Sequence, residues 1–186
     1  MNISEKGFEL KDGRKAVLRS PCEDDAADML AFIKRASGET EFLLKYPEEF
    51  DDYTLDKEKE LLKNSNEAPD EAMISCIVDG LIVGNCQIAF KTGIKSRHRA
   101  SVAIAILQNY WNLGIGTRLF REMIRIASER EHVRQIELDF IDGNTRARHL
   151  YEKMGFHITG VKPDATRLKD GTYLNEYMMI KVLERQ

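Results

Sequence analysis

The sequence has few of the residues that mark secreted, fibrous or disordered proteins. It contains 3 cysteines, 4 prolines and a single tryptophan among 186 residues. The cysteines, at positions 22, 76 and 86, form an odd and unclustered set, which favours reduced thiols in a cytosol over a disulfide framework. With 42% hydrophobic residues and so few prolines, the composition is that of a folded chain rather than a disordered one.

Long hydrophobic runs and an excess of positive charge are also lacking. No apolar run approaches the ~20 residues that span a bilayer, and the N-terminus has no long hydrophobic centre of the kind found in signal peptides. We therefore expect a cytoplasmic protein without a membrane partner. The formal net charge is −3, which argues against a nucleic-acid partner. The length suits one domain, so we expect a single domain over residues 1–186.

Hydrophobic periodicity predicts strands alternating with helices. The predicted elements are strands at 15–19, 101–107 and 135–141, hairpins over 73–90 and around Asp170-Gly171, and helices from Ala26, over 114–130 and over 144–154. The near-continuous apolar run at 101–107 is typical of a strand covered on both faces. The acid-rich segment 47–71 is predicted to form a solvated helix and loop. The order predicts an α/β (α+β) fold with a mixed sheet flanked by helices.

The first segment that carries chemistry is the turn after the 101–107 strand. There Gly114-Ile115-Gly116 leads directly into an amphipathic helix. Glycines allow a ligand to approach the backbone, and a helix N-terminus offers unpaired N–H groups to a phosphate. Asn112 fits such a turn, because asparagine tolerates left-handed conformations. The alternative is that the glycines only shape a tight connection.

Two common phosphate-binding motifs do not fit this turn. A Walker A loop is excluded because Gly116 is followed by Thr117 and Arg118. A dinucleotide fingerprint would need a third glycine where Leu119 stands.

The second such segment is NTRARHLYEKMGF at 144–156. Asn144 follows the 135–141 strand and opens a helix, so a plain N-cap is one interpretation and a ligand contact is another. Tyr151 falls on the apolar face of that helix. A core tyrosine whose hydroxyl finds a partner is therefore the alternative to a catalytic role.

Together, the two segments resemble the GNAT superfamily of N-acetyltransferases. The turn W-N-L-G-I-G-T is similar to the [QR]-x-x-G-x-[GA] loop of that family, and N-x-x-A-x-x-L-Y-x-x-x-G-F matches its other common motif at every specified position. Trp111 replaces the usual Gln or Arg, and Asn112 replaces a frequent glycine. The resemblance implies a mixed, mostly antiparallel sheet with helices on both faces, and acetyl-CoA as cosubstrate.

The resemblance also implies which residues contact acetyl-CoA. The pantetheine arm would bind the backbone of the 104–106 strand segment, and the diphosphate would bind main-chain N–H groups of the turn. Asn144 would contact the pantetheine arm, and Tyr151 would protonate the leaving sulfur as general acid. The cofactor-binding set is Ile104, Ala105, Ile106, Trp111, Asn112, Leu113, Gly114, Ile115, Gly116, Thr117, Asn144 and Tyr151.

The general base is left open. Glu137 and Asp139 share one face of a strand, and either would accept the amine proton unless it is paired with Arg or Lys. His98 has a pKa range suited to the role, but a surface histidine is the simpler interpretation. Glu39-Thr40-Glu41-Phe42 follows the first helix, where this family often builds its acceptor site. The spacing of histidines and cysteines predicts no metal site.

The expected activity is acetyl transfer to a primary amine of a small molecule or peptide by direct attack in a ternary complex. The alternatives are a GNAT-like domain that holds coenzyme A as a sensor or scaffold without turnover and, more distantly, a dinucleotide-dependent reductase. The acceptor is open, because the motifs contact the cofactor and not the amine. A homodimer, by analogy with many relatives, is open as well.

Overall fold

The computed structural model describes residues 1–184 and contains eight strands and four α-helices. The strands are β1 (Lys6–Glu9), β2 (Lys15–Arg19), β3 (Glu71–Val78), β4 (Leu81–Phe90), β5 (Arg99–Ile106), β6 (Gln135–Ile141), β7 (His157–Arg167) and β8 (Tyr173–Val182). The helices are α1 (Ala26–Gly38), α2 (Leu55–Glu67), α3 (Ile115–Ser128) and α4 (Thr145–Lys153).

The strand order is β1-β2-β3-β4-β5-β6-β8-β7. β5 and β6 pair in parallel over residues 99–101 and 135–137. The β1–β2, β2–β3, β3–β4, β6–β8 and β7–β8 pairs are antiparallel. The predicted mixed, mostly antiparallel sheet is thus confirmed, as are both hairpins.

Two compact units share the chain. The first comprises Met1–Ala89 and Ala103–Leu119. It holds β1 to β4, α1, α2 and the second half of β5. Its core forms around the apolar stripe of α1, and its buried members are Ala26, Met29, Phe32, Ala36, Leu62, Met73, Ile82 and Leu107. The stripe follows the i, i+3 spacing that the sequence shows from Ala26 onward.

The second unit comprises Phe90–Val102 and the segment from Phe120 onward. β6, β7, β8 and α4 belong to it, and a cluster of aromatic rings lies at its centre. The Phe120 ring is 5.4 Å from the Tyr151 ring and 5.7 Å from the Phe156 ring, between centroids. Such pairs add packing energy beyond the burial of area. The expectation of a single domain over 1–186 stays a prediction.

Three features of the structure differ from what the sequence predicts. β1 was not predicted, because its four residues, KGFE, carry no clear alternation. The strand β5 is not covered on both faces: residues 101–106 are half-buried except for Ala103, which is exposed, since a cavity borders part of it. The third difference lies in the acid-rich segment. There α2 buries Glu58, Leu62 and Ser65, because this face packs within the first unit instead of facing solvent.

Gly84 on β4 allows the strand to approach the start of α3. A Cβ at this position would lie 3.3 Å from Cγ2 of Ile115 and 3.4 Å from Cγ1 of Ile106. Both neighbours belong to the segment that the sequence singles out for cofactor binding. The absence of a side chain at Gly84 therefore helps to fix where that segment begins.

We expect Gly84→Val to lower the free energy of unfolding by about 1–3 kcal/mol, because the added methyl groups overpack a filled site. Gly7→Val is the matched control, since Gly7 also lies on a strand but nothing is within 4 Å of a Cβ built there. Urea unfolding of both variants measures the difference. Equal stability of the two variants would contradict this account of Gly84.

Candidate active site

The turn between β5 and α3 has the left-handed backbone that the sequence predicts. Asn112 has φ 63° and Gly114 has φ 95°. No atom lies within 4 Å of a Cβ built on Gly114, so it is the backbone angle, and not space, that favours glycine there. The prediction that Asn112 takes a left-handed conformation is confirmed.

The first backbone N–H groups of α3 are unused by the helix. The N–H of Arg118 donates to the Gly114 carbonyl at 3.2 Å, which begins the helical ladder. The N–H groups of Ile115, Gly116 and Thr117 precede it and have no acceptor within the helix. Their partial positive charge suits a phosphate group, so this part of the predicted site fits a diphosphate.

Trp111 takes part through its side chain as well as its backbone. Its N–H donates to the Gln108 carbonyl at 3.0 Å, so this donor is already engaged in a short turn. The indole Nε1–H donates to the carbonyl of Ile106 at 2.7 Å. This bond ties the end of β5 to the turn. It was not foreseen from the sequence, where Trp111 was only a departure from the family pattern.

A hydrogen bond from the chain just before the turn to the residue that follows α1 also holds this turn in place. One carboxylate oxygen of Glu39 accepts a hydrogen bond from the backbone N–H of Gln108 at 2.6 Å. The other accepts from Nε of Arg35 at 2.8 Å. Glu39 therefore holds the chain just before the turn, and its carboxylate is occupied. Glu39 thus has a structural role, and its place near an acceptor stays a prediction.

A cavity of about 270 Å³ borders the edge of β5 at Ala103, Ile104 and Ala105. It lies in the first unit, and its other lining residues are Met29, Leu30, Phe32, Ile33, Leu43, Lys45, Phe50, Tyr53, Glu58, Leu61, Met73, Asn85 and Gln87. Most of this lining is apolar. Two of the three strand residues predicted to contact pantetheine thus border a cavity large enough for a small molecule.

Tyr151 lies in the second unit at the centre of the aromatic cluster and is 8% exposed. Its ring contacts those of Phe120, Phe140 and Phe156. Within residues 1–184 its hydroxyl makes no hydrogen bond. Burial raises the pKa of Tyr151 to about 12, so the phenol is protonated at neutral pH. The burial expected of a core tyrosine is therefore present, but the hydrogen-bonded hydroxyl of that alternative is not, and the catalytic role of Tyr151 stays a prediction.

Asn144 is the N-cap of α4. Its Oδ1 accepts from the backbone N–H of Ala147 at 3.2 Å, the arrangement that satisfies a free donor at a helix start. The N-cap interpretation is therefore confirmed, and a contact with pantetheine stays a prediction.

Both carboxylates on β6 are paired. Glu137 accepts from Nη2 of Arg99 at 2.7 Å and from Nε2 of Gln135 at 2.7 Å. Burial by itself would raise the pKa of Glu137, but the hydrogen bonds from Arg99 and Gln135 outweigh it and hold this pKa below its usual value. Asp139 accepts from Nζ of Lys162 at 2.7 Å. Pairing with Arg or Lys was the alternative to a catalytic role for these residues, and the structure shows it.

His98 contributes its main chain to the structure. Its carbonyl accepts from the N–H groups of Arg134 at 2.7 Å and Gln135 at 3.2 Å, while its side chain is half-buried. Among residues 1–184, no group of three or more His, Cys, Asp or Glu side chains is placed to hold a metal ion. In the same range, no helix has both the length and the apolar character needed to cross a membrane.

The fold and the turn before α3 fit an acyl-coenzyme A-dependent transferase. The family model of the acetyltransferase (GNAT) family matches residues 36–156, a span that runs through both units. The chain belongs to this family, and it is an acetyl-CoA-dependent N-acetyltransferase. The resemblance read from the sequence is thereby confirmed.

Individual relatives agree with this assignment. L-amino acid N-acetyltransferase AaaT of Escherichia coli is 32% identical over 110 residues, which cover 59% of this chain and 67% of that protein. A GNAT-family acetyltransferase of Streptococcus pneumoniae has a TM-score of 0.84 at 27% identity, covering 90% of this chain and 99% of its own. YncA of Salmonella typhimurium, solved with its cofactor acetyl-CoA, shares the fold with a TM-score of 0.76 at 15% identity, covering 92% and 95%.

We expect Gly114→Ala to weaken acetyl-CoA binding about tenfold. A non-glycine residue held at positive φ costs roughly 1–2 kcal/mol, and the turn can avoid that cost only by leaving the conformation that presents its donors. Isothermal titration calorimetry measures the change. Gly171→Ala is the matched control, because Gly171 has φ 92° and equally open space in the β7–β8 turn. Equal loss of affinity in both variants would refute a local role for Gly114.

Proposed function

We propose that the protein transfers the acetyl group of acetyl-CoA directly to the primary amine of a small molecule or peptide, in a ternary complex. The observation that carries this proposal is the turn before α3, where three consecutive N–H groups, those of Ile115, Gly116 and Thr117, have no acceptor within the helix. They suit the coenzyme A diphosphate. Similarity to an L-amino acid N-acetyltransferase favours an α-amine among the acceptors.

The reaction sets three chemical requirements. The amine must lose a proton before it can attack, because an alkylamine has an unperturbed pKa of about 10. The developing oxyanion on the thioester carbonyl needs a donor, a role we assign to the main chain near Ile106. The C–N bond forms first and gives a tetrahedral adduct with an oxyanion and a cationic nitrogen. The C–S bond then breaks, and the coenzyme A thiolate needs a proton.

We assign that last proton to Tyr151. Its hydroxyl makes no hydrogen bond within residues 1–184, and burial keeps its pKa near 12, so it holds a proton to give. A thiol has a pKa near 8.5, which makes an isolated transfer from Tyr151 to the thiolate unfavourable. The transfer is favourable overall when the tyrosine regains the proton that the cationic nitrogen of the adduct loses as it becomes the neutral amide.

The amine-acetylating activity is tested by thiol release from acetyl-CoA with a panel of amines. Polyamines, aminoglycosides, amino acids and a peptide with a free N-terminus cover the acceptors that the motifs leave open. Thiol release that depends on one of these amines supports the proposal. Tight acetyl-CoA binding with no amine-dependent release across the panel would favour the sensor alternative and overturn it.

We expect Tyr151→Phe to lower kcat by about 10²–10⁴-fold, the usual contribution of a general acid. The free energy of unfolding should change by less than about 0.5 kcal/mol, because the ring packing is kept and no hydrogen bond is lost. Tyr177→Phe is the matched control, since the Tyr177 ring also packs on Phe140, at 5.4 Å between centroids. A Tyr151→Phe variant with unchanged kcat would show that another group protonates the sulfur.

A further inference from the structure

Glu58 occupies a position on α2 that packing alone would give to an apolar residue. The buried positions of this helix are Glu58, Leu62 and Ser65, spaced i, i+4 and i+7 along one face. The side chain of Glu58 is only 5% exposed. A carboxylate has therefore been placed in the buried stripe of a helix whose other acidic residues face solvent.

The Glu58 carboxylate has no compensating partner. Within the described part of the chain it makes no hydrogen bond and no ion pair. Burial alone raises its pKa above the usual value of 4.5. Leaving a carboxylate unpaired in apolar surroundings is costly, and groups held in this way are concentrated at functional sites.

The helix itself does not require a charge at this position. Negative side chains near a helix N-terminus favour the helix dipole, but Asp56 already supplies one in the first turn of α2 and is exposed. Thr54 caps the helix by accepting from the N–H of Lys57 at 3.3 Å. Helix stability therefore accounts for Asp56 and Thr54, not for the burial of Glu58.

Glu58 lines the same cavity as the edge of β5. It is the one carboxylate in that lining, and the other titratable groups there are Lys45 and Tyr53. The Nζ of Lys45 lies over the rings of Phe50 and Tyr53, at 5.4 and 5.8 Å from their centroids. The cavity residues from α1, β3, β4 and β5 carry no charge.

We propose that Glu58 binds the acceptor's ammonium group in this cavity and removes the proton that must leave before the nitrogen can attack. The assignment rests on the proposed function. The step is balanced: the ammonium gives one proton to the Glu58 carboxylate, and the neutral amine forms the C–N bond. Glu58 later releases that proton to solvent. The second proton of the nitrogen goes to Tyr151 and replaces the one that Tyr151 gave to the thiolate.

The cavity lining also selects the body of the acceptor. Its walls come mainly from apolar side chains, among them Met29, Phe32, Ile33, Leu43 and Met73. The uncharged polar side chains of the lining are Tyr53, Asn85 and Gln87, so a polar acceptor body would leave most of its own groups unpaired. The acceptor class is therefore a primary amine with an apolar body, and L-leucine should be preferred to its near-isostere L-asparagine by about tenfold or more in kcat/KM.

The test compares Glu58→Gln with the wild-type chain, using L-leucine and 3-methylbutylamine as acceptors. We expect kcat/KM for the amine to fall by about 100-fold or more, with the Kd of acetyl-CoA changed less than about twofold. The limb of the pH profile on which activity rises as Glu58 loses its proton should disappear. Glu58→Asp, which keeps a carboxylate, should retain more activity than Glu58→Gln. Glu60→Gln, at an exposed position on the same helix, is the control and should match the wild type.

A second acceptor separates proton removal from a merely structural role. O-Isobutylhydroxylamine has nearly the shape of 3-methylbutylamine, but its nitrogen is neutral at pH 7 and has no proton to lose before attack. The ratio of wild-type to Glu58→Gln activity should therefore be much smaller with the hydroxylamine. An equal ratio for the two acceptors would overturn proton removal by Glu58.

Thermal unfolding provides a readout that does not depend on turnover. A carboxyl group with a raised pKa in the fold is destabilising once it is charged, so wild-type stability falls as pH rises from about 4.5 through the raised value. Gln does not titrate. The Tm of Glu58→Gln relative to wild type should therefore increase over this pH range. A constant difference would overturn the unpaired state of Glu58, and with it the proposal.

The outcomes separate the proposal from the function on which it rests. No thiol release by the wild type with any amine would overturn both. Normal wild-type activity with unchanged kcat/KM and pH profile in Glu58→Gln would overturn the role of Glu58 alone. L-Asparagine accepted as well as L-leucine would overturn the apolar acceptor class.

Discussion

Backbone donors that a helix cannot use in its own ladder are the feature on which the cofactor site depends. The hydrogen-bond ladder of α3 begins at the N–H of Arg118, so the N–H groups of residues 115–117 have no acceptor in the helix. The turn before them has φ 63° at Asn112 and 95° at Gly114. Gly84 and the Trp111 indole fix where this turn begins. Because main-chain atoms supply the donors, a departure such as Trp111 in place of Gln or Arg is tolerated, and its side chain gains a separate role.

This reliance on the main chain also explains how much the sequence could predict. A left-handed turn followed by a helix start is set by neighbouring residues, so the turn glycine at 114, the N-cap at Asn144 and the hairpin turns could all be predicted from the local sequence. Gly116, by contrast, lies inside α3. The partial exposure of residues 101–106 on β5 and the burial of Glu58 could not be predicted in this way. Both depend on contacts between segments far apart in the chain, and the composition of α2 pointed to solvent because most of its residues are charged or polar.

The carboxylates that the sequence offers as a general base or as an acceptor contact are distinguished by their hydrogen-bond partners more than by their positions. Glu137 is held by Arg99 and Gln135, Asp139 by Lys162, and Glu39 by Arg35 and the N–H of Gln108. For Glu137, the hydrogen bonds from Arg99 and Gln135 stabilise the charged form and hold its pKa below the usual value. Periodicity placed Glu137 and Asp139 correctly on one face of β6, yet only the structure shows that their charges are already compensated.

Cofactor and acceptor are therefore recognised by different physical means, which limits what family membership can reveal. The cofactor turn is a short continuous segment with backbone angles that only a few residues tolerate, so it can be recognised as a motif in the sequence. The cavity beside β5 is built from side chains of α1, α2, the segment between them, and β3 to β5. Its specificity depends on side-chain size and on one unpaired carboxylate, neither of which produces a fixed spacing in the sequence. Members of one family can thus keep the turn and change the amine, and the unpaired carboxylate is the feature by which the acceptor of this chain is to be sought.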